Sequence, residues 1–381
     1  NEDLLVGGRY HNGNTAYYEK YPVFMRLGGG ESATGYVNPI IPRLVYFSDV
    51  GAMILPDSFK GSFINKAISK YPNESYFTLW YSSIVWDPRC YNTMWLGNKN
   101  SLWKSSDGGG SFSRMWTTSD TDILVQHIEI SRANPNTIYF TGHKSTATLY
   151  RSTDGGASFF SVPKPDSVTA GEFRISKFVL SETSDSEIWW ALQSGSSKHR
   201  VFHTTNAGKT WTNLTTPAIA NLYVCDIQHQ MGTDGGIYLA GQGMMFYRNN
   251  GMSDWTDYHA GLPINQQTRN LRIFYRDGKI RSGSNLGIWE APLYEASKPV
   301  AQPTVDKLVS DCPRDTFYFD DYSAVQHAQA SWSWDFPGAS YVSSRTARNP
   351  KVVYSAPGKY SVTLRIHQGA DSSVKTVTDM V

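Results

Sequence analysis

Residues 105–112, Ser-Ser-Asp-Gly-Gly-Gly-Ser-Phe, recur along the chain at a regular interval. Residues 152–159 and 204–211 keep the same order of hydroxyl residue, carboxylate or amide, glycine, second hydroxyl residue and aromatic ring, and 249–255 form a degenerate fourth copy. The carboxylate or amide positions, 47, 52 and 43 residues apart, are Asp107, Asp154, Asn206 and Asn249. A fixed period of this length indicates a radial or solenoidal array of one small unit.

Each copy has the chemistry of a tight turn between two strands. A short Asp or Asn side chain bonds nearby backbone amides, and glycine adopts the positive φ that such a turn requires. The runs before the first three copies are strand-like (100–104, 147–151 and 199–203), and the aromatic residue after the turn can return to cover the core. We therefore interpret Asp107, Asp154, Asn206 and Asn249 as structural turn residues.

A second phrase recurs upstream of each turn, and it consists of a polar or proline-containing turn followed by an aromatic strand. Examples are 85–97, which contains Val-Trp-Asp-Pro, and 134–140, which reads Asn-Pro-Asn-Thr-Ile-Tyr-Phe. Six such units can be traced from Tyr36 to Glu290. Units of three or four short strands, each closed by a turn, predict a β-propeller.

These phrases resemble the Asp-box, or bacterial neuraminidase repeat, of sialidase-like β-propellers. The resemblance implies an all-β propeller over residues 1–294 with six visible blade units. Seven blades are common in that family, so one blade could precede Asn1, and a complete six-bladed ring is the alternative. In the family the box is a folding device that faces away from the catalytic mouth.

Residues 295–303 carry two prolines and no glycine and are predicted to form a short, stiff linker. The residues after this linker do not continue the repeat. In residues 304–381, the alternation of Tyr360, Val362, Leu364 and Ile366 has period two, as in a strand with one buried face. The phrases at 332–336 (Trp-Ser-Trp-Asp-Phe) and 357–364 (Pro-Gly-Lys-Tyr-Ser-Val-Thr-Leu) resemble the PKD (polycystic kidney disease) domain, an immunoglobulin-like β-sandwich.

Composition narrows the classes of function. Lys plus Arg number 35 against 33 Asp plus Glu, with no basic run, so nucleic acid is not an expected partner. The sequence has no apolar stretch of about 18 residues, so no membrane span is predicted. The chain begins without an initiator Met and reads as part of a longer or processed polypeptide. Cys90, Cys225 and Cys312 allow one disulfide at most, and buried free thiols are the simpler interpretation.

The sequence holds no complete catalytic motif. Residues 41–43, Ile-Pro-Arg, are in the wrong order for the sialidase phrase, and Asp87 and Asp226, candidates for a xyloglucanase-like pair, stand where turn-capping residues are expected. His127, His203 and His229 show no ligand-like spacing. We expect no catalytic residue, no metal and no cofactor.

Tryptophan supplies the candidate binding residues. Trp189 and Trp190 are adjacent in a strand and must face opposite sides of the sheet. One of the pair is therefore expected to be exposed or in an interface, where it could contact a glycan or a protein.

The resemblance implies a secreted or cell-surface, non-catalytic binding or adhesion module, similar to surface proteins exported by the type IX secretion system of Bacteroidota. Candidate partners are glycans and surface or secretion-system proteins. The alternative is an accessory part of an extracellular glycoside hydrolase (sialidase- or xyloglucanase-like) or of a peptidase.

Overall fold

The computed structural model describes residues 3–7, 13–18, 21–28, 35–47, 51–55, 64–65, 83–143, 147–168, 173–194 and 200–381. The first 292 residues contain seven antiparallel sheets in chain order among these described ranges. We name them blades 1 to 7.

The strands of blades 1 to 3 run in sequence within each sheet. Blade 1 contains β1 (Leu4–Gly7), β2 (Asn14–Tyr18) and β3 (Tyr21–Gly28). Blade 2 contains β4 (Tyr36–Val37), β5 (Leu44–Phe47), β6 (Gly51–Ile54) and β7 (Ile64–Asn65). Blade 3 contains β8 (Val85–Asp87), β9 (Cys90–Asn98), β10 (Ser101–Ser105) and β11 (Ser113–Thr117).

Blades 4 to 7 repeat the same order. Blade 4 contains β12 (Leu124–Ile130), β13 (Ile138–His143), β14 (Ala147–Ser152) and β15 (Phe160–Ser161). Blade 5 contains β16 (Phe173–Leu180), β17 (Ile188–Ser194), β18 (Val201–Thr204) and β19 (Thr212–Asn213). Blade 6 contains β20 (Val224–His229), β21 (Ile237–Gly241), β22 (Met245–Arg248) and β23 (Thr256–Asp257). Blade 7 contains β24 (Thr268–Phe274), β25 (Lys279–Ser284) and β26 (Gly287–Pro292).

The blades are held together by apolar side chains between their faces. Six apolar clusters lie one between each consecutive pair from blades 1 and 2 to blades 6 and 7. Because both faces of a blade are covered, central strands such as β5 and β21 are buried at every residue instead of alternating. Among the described residues, no such cluster joins blade 7 to blade 1, and the ion pair Asp3–Arg276 (2.6 Å) links them instead.

The all-β propeller prediction is confirmed, and the described residues form seven blade sheets, one more than the six predicted units. The additional sheet is blade 1, at residues 4–28, ahead of the six predicted units. Sequence inspection missed it because blade 1 carries neither the box nor the aromatic-strand phrase that marks the other units.

A β-sandwich follows the last blade. One sheet has the order β27 (Pro303–Val305), β28 (Thr316–Asp321), β31 (Lys351–Val353) and β30 (Tyr341–Val342). The other has the order β29 (Ala330–Asp335), β32 (Val362–Gln368) and β33 (Asp371–Val377). Short 3₁₀ turns cover Tyr275–Asp277 in blade 7 and His327–Gln329 in the sandwich. Val362, Leu364 and Ile366 are buried in the sandwich core, as the period-two pattern predicts.

The segment between propeller and sandwich is bonded to both. The Glu295 carbonyl accepts a hydrogen bond from Gln230 Nε2 (2.7 Å), and Gln302 Nε2 donates to the Pro88 carbonyl (3.1 Å). Val305 pairs in parallel with Cys90, so β27 continues the sheet of blade 3. The division into residues 1–294, 295–303 and 304–381 stays a prediction, and these contacts dock the sandwich firmly on the propeller.

The three cysteines are free thiols in different environments. Cys90 is buried at the propeller–sandwich junction, Cys225 is half-buried and Cys312 is exposed. The expectation of buried thiols is therefore correct for Cys90 and wrong for Cys312, which lies on a surface loop before β28.

Candidate functional site

The predicted turn residues make the same hydrogen bonds in three of the four copies. Oδ1 of Asp107 accepts the backbone N–H of Ser111 (2.9 Å) and the hydroxyl of Ser105 (2.7 Å). Asp154 and Asn206 repeat this pattern: Oδ1 of each accepts the backbone N–H four residues later and the side-chain hydroxyl two residues earlier. The hydroxyl and N–H of Ser158, together with the Ser152 hydroxyl, hold the pKa of Asp154 well below its usual range. These contacts are local to the turn, which supports a structural role.

The glycines of the second and third turns fit closely against the neighbouring blade. Gly156 has a φ of +90°, and a Cβ there would stand 2.5 Å from the Trp95 ring of the preceding blade. Gly208 has a φ of +83°, and its Cβ would meet Val162 at 2.3 Å. The requirement for glycine therefore comes from both the backbone conformation and the neighbouring blade.

The fourth copy is different. Asn249 Oδ1 accepts only the N–H of Gly251 within the turn (3.0 Å), while its Nδ2 donates to Glu295 Oε1 (3.0 Å). Its amide thus ties the last box turn to the segment that leads into the sandwich.

Asp154→Ala should lower the unfolding midpoint of the propeller by a few degrees, because the Ser158 N–H and the hydroxyls of Ser152 and Ser158 lose their acceptor. Thermal unfolding followed by circular dichroism measures this shift. Asp166→Ala, an exposed position in the loop after the same turn, is the control and should leave the midpoint unchanged. An Asp154→Ala protein of full thermal stability that had lost ligand binding would contradict the structural interpretation.

The expectation that Trp189 or Trp190 is exposed is wrong. Their exposed fractions are 2% and 0%. Trp189 belongs to the cluster between blades 5 and 6 and Trp190 to the cluster between blades 4 and 5. The alternation is present, but a propeller covers both faces of a blade, so neither indole can serve as a surface platform.

Trp189 instead forms the middle layer of a stack. Its ring lies between His203 (centroids 4.7 Å apart, 12° between planes) and His229 (4.8 Å, 19°). His229 Nδ1 faces the Gly236 carbonyl and Nε2 faces Glu182 Oε2 at 2.7 Å. Despite burial, His229 and the Gly232 N–H lower the pKa of Glu182. Since a carbonyl can only accept, Nδ1 of His229 donates to the Gly236 carbonyl.

The acids and the arginine weighed as catalytic groups are engaged in structural contacts. Asp87 accepts the backbone N–H of Arg89 (2.9 Å) and pairs with its guanidinium (2.7 Å). Asp226 pairs with Lys177 (2.9 Å) and accepts the N–H of Leu271 (2.7 Å). The Arg43 guanidinium donates to the Leu55 carbonyl. These contacts leave neither aspartate in an acid pair.

The sandwich occupies one face of the propeller. The turns between the first and second strands of the blades lie on this face, together with the recurring turns between the third and fourth strands. In blade 4, for example, the N–H of Gly155 in the recurring turn donates to the carbonyl of Asn136, which lies between β12 and β13 (2.9 Å). On the same face Arg132 Nη1 donates to the Tyr322 carbonyl (2.8 Å), and Lys298 N–H donates to the Gly232 carbonyl (2.9 Å). The loops between blades lie on the opposite face, where Ile264 is 89% exposed.

A cavity of about 830 Å³ lies at the centre of the ring and is the candidate functional site. Its walls include the first strands of blades 1 to 4, 6 and 7, and the sandwich contributes Asp321–Ser323, His327 and Arg348. The cavity also reaches between blade 1 and blade 7, where no apolar cluster of described residues fills the space. This volume is in the range of pockets that hold small molecules.

The described wall of the cavity is rich in arginine. It carries five arginines and three carboxylates. The arginines are Arg132, Arg272, Arg276, Arg281 and Arg348, and the carboxylates are Asp3, Glu129 and Asp321. Sequence inspection missed this cluster because its arginines come from blade 4, blade 7 and the sandwich and share no motif.

Two protein families match parts of the chain. The Sortilin-Vps10 family (sortilin, neurotensin receptor 3) matches residues 100–249, and the PKD domain family matches residues 296–381. The fold is a β-propeller followed by a PKD domain. The sequence matches no curated protein. In the described part of the chain, no helix reaches the length and hydrophobicity needed to cross a bilayer.

Solved structures share the architecture at low sequence identity. The extracellular domain of BT4673 from B. thetaiotaomicron superposes with a TM-score of 0.52 at 10% identity, over 99% of this chain and 56% of that chain. A second structure of that domain gives 0.52 at 9% identity, over 99% and 55%. An ancestral GH74 enzyme gives 0.46 at 14% identity, over 90% and 54%, which is too weak to support an inference about activity. This chain spans about half the length of these structures.

Proposed function

We propose that this protein is a non-catalytic, extracellular binding module in which the central cavity holds the ligand and the docked PKD domain closes one end of it. The observation that carries the proposal is the 830 Å³ cavity with walls from both domains. Binding sites on rigid scaffolds commonly lie where domains meet. Glycans are the proposed ligands, in keeping with a surface or adhesion role, and export by the type IX secretion system is the proposed route.

The state of the carboxylates supports binding over hydrolysis. Glycoside hydrolysis needs two acids placed on either side of a bond. At the cavity wall Asp3 pairs with Arg276 (2.6 Å) and Glu129 pairs with His127 (3.2 Å). Asp321 accepts the indole N–H of Trp332 (2.9 Å). Each of these three acids has a partner that holds it in place.

A cavity-filling variant tests the proposal. Gly283 lines the cavity, its backbone lies outside the left-handed region, and a Cβ there would have its nearest neighbour at 3.8 Å. Gly283→Phe should therefore add a side chain at the cavity wall without a clash at its Cβ and without backbone strain. We expect the wild-type chain to bind at least one polysaccharide of a panel of plant, algal and animal glycans, and Gly283→Phe to weaken that binding at least about ten-fold.

Gly251→Phe is the matched control, because Gly251 lies in the fourth box turn away from the cavity. It should bind like the wild type. We also expect no hydrolysis of sialosides, β-glucans or casein above a heat-treated control. Turnover abolished by one carboxylate substitution within residues 1–294, or glycan binding unaffected by Gly283→Phe, would overturn the proposal.

A further inference from the structure

The arginines of the cavity fall into two groups. Three have carboxylate partners: Arg276 with Asp3, Arg281 with Glu290 at 2.7 Å, and Arg348 with Asp320 at 3.1 Å. Arg132 and Arg272 have none among the described residues.

The hydrogen bonds described for these two arginines go to carbonyl groups. Arg132 Nη1 donates to the Tyr322 carbonyl (2.8 Å), and its guanidinium lies over the Tyr322 ring (4.4 Å). Arg272 Nη1 donates to the Leu271 carbonyl (2.7 Å). Each guanidinium has five N–H donors, so both keep donors available for a ligand.

The carboxylates of this region are bonded to groups other than the two arginines. Glu129 lies 3.2 Å from His127 Nε2, and Asp321 accepts the indole N–H of Trp332 and the backbone N–H of Ser323 (3.0 Å). Asp226 pairs with Lys177. Among the described residues, Arg132 and Arg272 thus have no direct carboxylate partner, and a guanidinium can bind a carboxylate through two parallel hydrogen bonds.

The remainder of the wall suits a sugar. The wall includes the aromatic residues Tyr36 and Phe274 and the amide residues Gln228 and Asn270. Amides can donate to and accept from hydroxyl groups. Such aromatic and amide groups match the apolar ring faces and the hydroxyl groups of a pyranose. With the arginines they match a sugar that also carries a carboxylate.

We propose that the cavity binds a uronate-containing oligosaccharide, with Arg272 contacting its carboxylate and Arg132 providing the positive charge at the PKD end. This inference rests on the proposed binding function of the cavity. It goes further by assigning the chemical class of the ligand and the residue that selects it.

Calorimetric titration with defined oligosaccharides tests the assignment. The acidic probes are trigalacturonate, tetramannuronate and a chondroitin tetrasaccharide, and the neutral probes are maltotriose and cellotriose. At least one acidic probe should bind the wild-type chain at least about ten-fold more tightly than either neutral probe. Arg272→Met should weaken that binding by about ten- to hundred-fold, because a charge-assisted pair is lost. Arg272→Lys should give an intermediate loss of affinity, because lysine keeps the positive charge but lacks the planar guanidinium that donates two parallel hydrogen bonds.

Arg269→Met is the matched control, because Arg269 lies on the same strand, is exposed and is not part of the cavity wall. Its affinity should equal that of the wild type. Equal binding of neutral and acidic probes, an unchanged affinity in Arg272→Met, binding of a triglutamate peptide in place of every acidic sugar, or no acidic sugar bound at millimolar concentration would overturn the assignment. If a neutral glycan binds and Gly283→Phe blocks it, the binding function stands and only the ligand class is wrong.

Discussion

Trp190→Ala is expected to lower the free energy of unfolding of the propeller by about 3–5 kcal/mol, the cost of removing a large aromatic side chain from a packed core. Trp190 is fully buried between blades 4 and 5, where it packs with Phe178, Ile188 and Phe202. Its ring also contacts Trp211, the aromatic residue of the third box, at 5.6 Å. Chemical denaturation followed by fluorescence measures the loss.

The control is a tryptophan of different burial. Trp289 on β26 is 37% exposed, so Trp289→Ala leaves a smaller void and should cost about 1 kcal/mol. Comparable losses in the two variants would show that Trp190 does not belong to a continuous core between blades.

Asp320→Asn is expected to stabilise the protein at neutral pH and to flatten its stability profile between pH 4 and 7. Burial in the sandwich raises the pKa of Asp320 to about 6, although the Arg348 guanidinium and the Asp321 N–H oppose the shift. Its pKa in the unfolded chain is about 3.9. The folded state therefore holds a proton that the unfolded state has already released in this window.

The sign follows from that difference in bound protons. The contribution of Asp320 to stability is complete below about pH 4 and is lost as the pH rises through 6, which amounts to about 3 kcal/mol at pH 7.5. Asn cannot ionise, so Asp320→Asn should recover most of this loss. Denaturant titrations at pH 4, 5, 6 and 7.5 measure it against wild type.

Asp335→Asn is the matched control. Asp335 lies on the same sandwich, but its side chain is 67% exposed and 3.5 Å from Arg345. Asp335→Asn should change the free energy of unfolding at pH 7.5 by no more than about 0.5 kcal/mol, and the dependence of that free energy on pH should stay the same. Parallel pH profiles for the wild type and Asp320→Asn would refute the assignment of the pH dependence to Asp320.

Turn chemistry and strand alternation could be predicted from the sequence because both are local. An Asp-x-Gly turn is organised within four or five residues, as the matching bonds of Asp107 and Asp154 show. The alternation of Val362, Leu364 and Ile366 likewise depends only on the strand period. Blade 1 could not be predicted in the same way, since it has strands without a recurring turn.

Burial of Trp189 and Trp190 shows where local reasoning ends. The sequence correctly places the two rings on opposite faces, yet whether a face meets solvent depends on the neighbouring sheet. In a propeller every inner blade has a neighbour on each side, so both indoles are covered. In a sheet packed against the core on one face only, the same strand would have exposed one of the two indoles.

By itself, the sequence determined an all-β propeller with recurring turns, because period, turn residues and strand alternation are short-range properties, and a family resemblance indicated the PKD domain that follows it. Only the tertiary structure decided the candidate site. Arg132 and Arg272 lie 140 residues apart in sequence, on different blades, and the PKD domain adds Arg348 to the same cavity. Their proximity results from closure of the ring and docking of the second domain, which bring distant strand ends together around one central space.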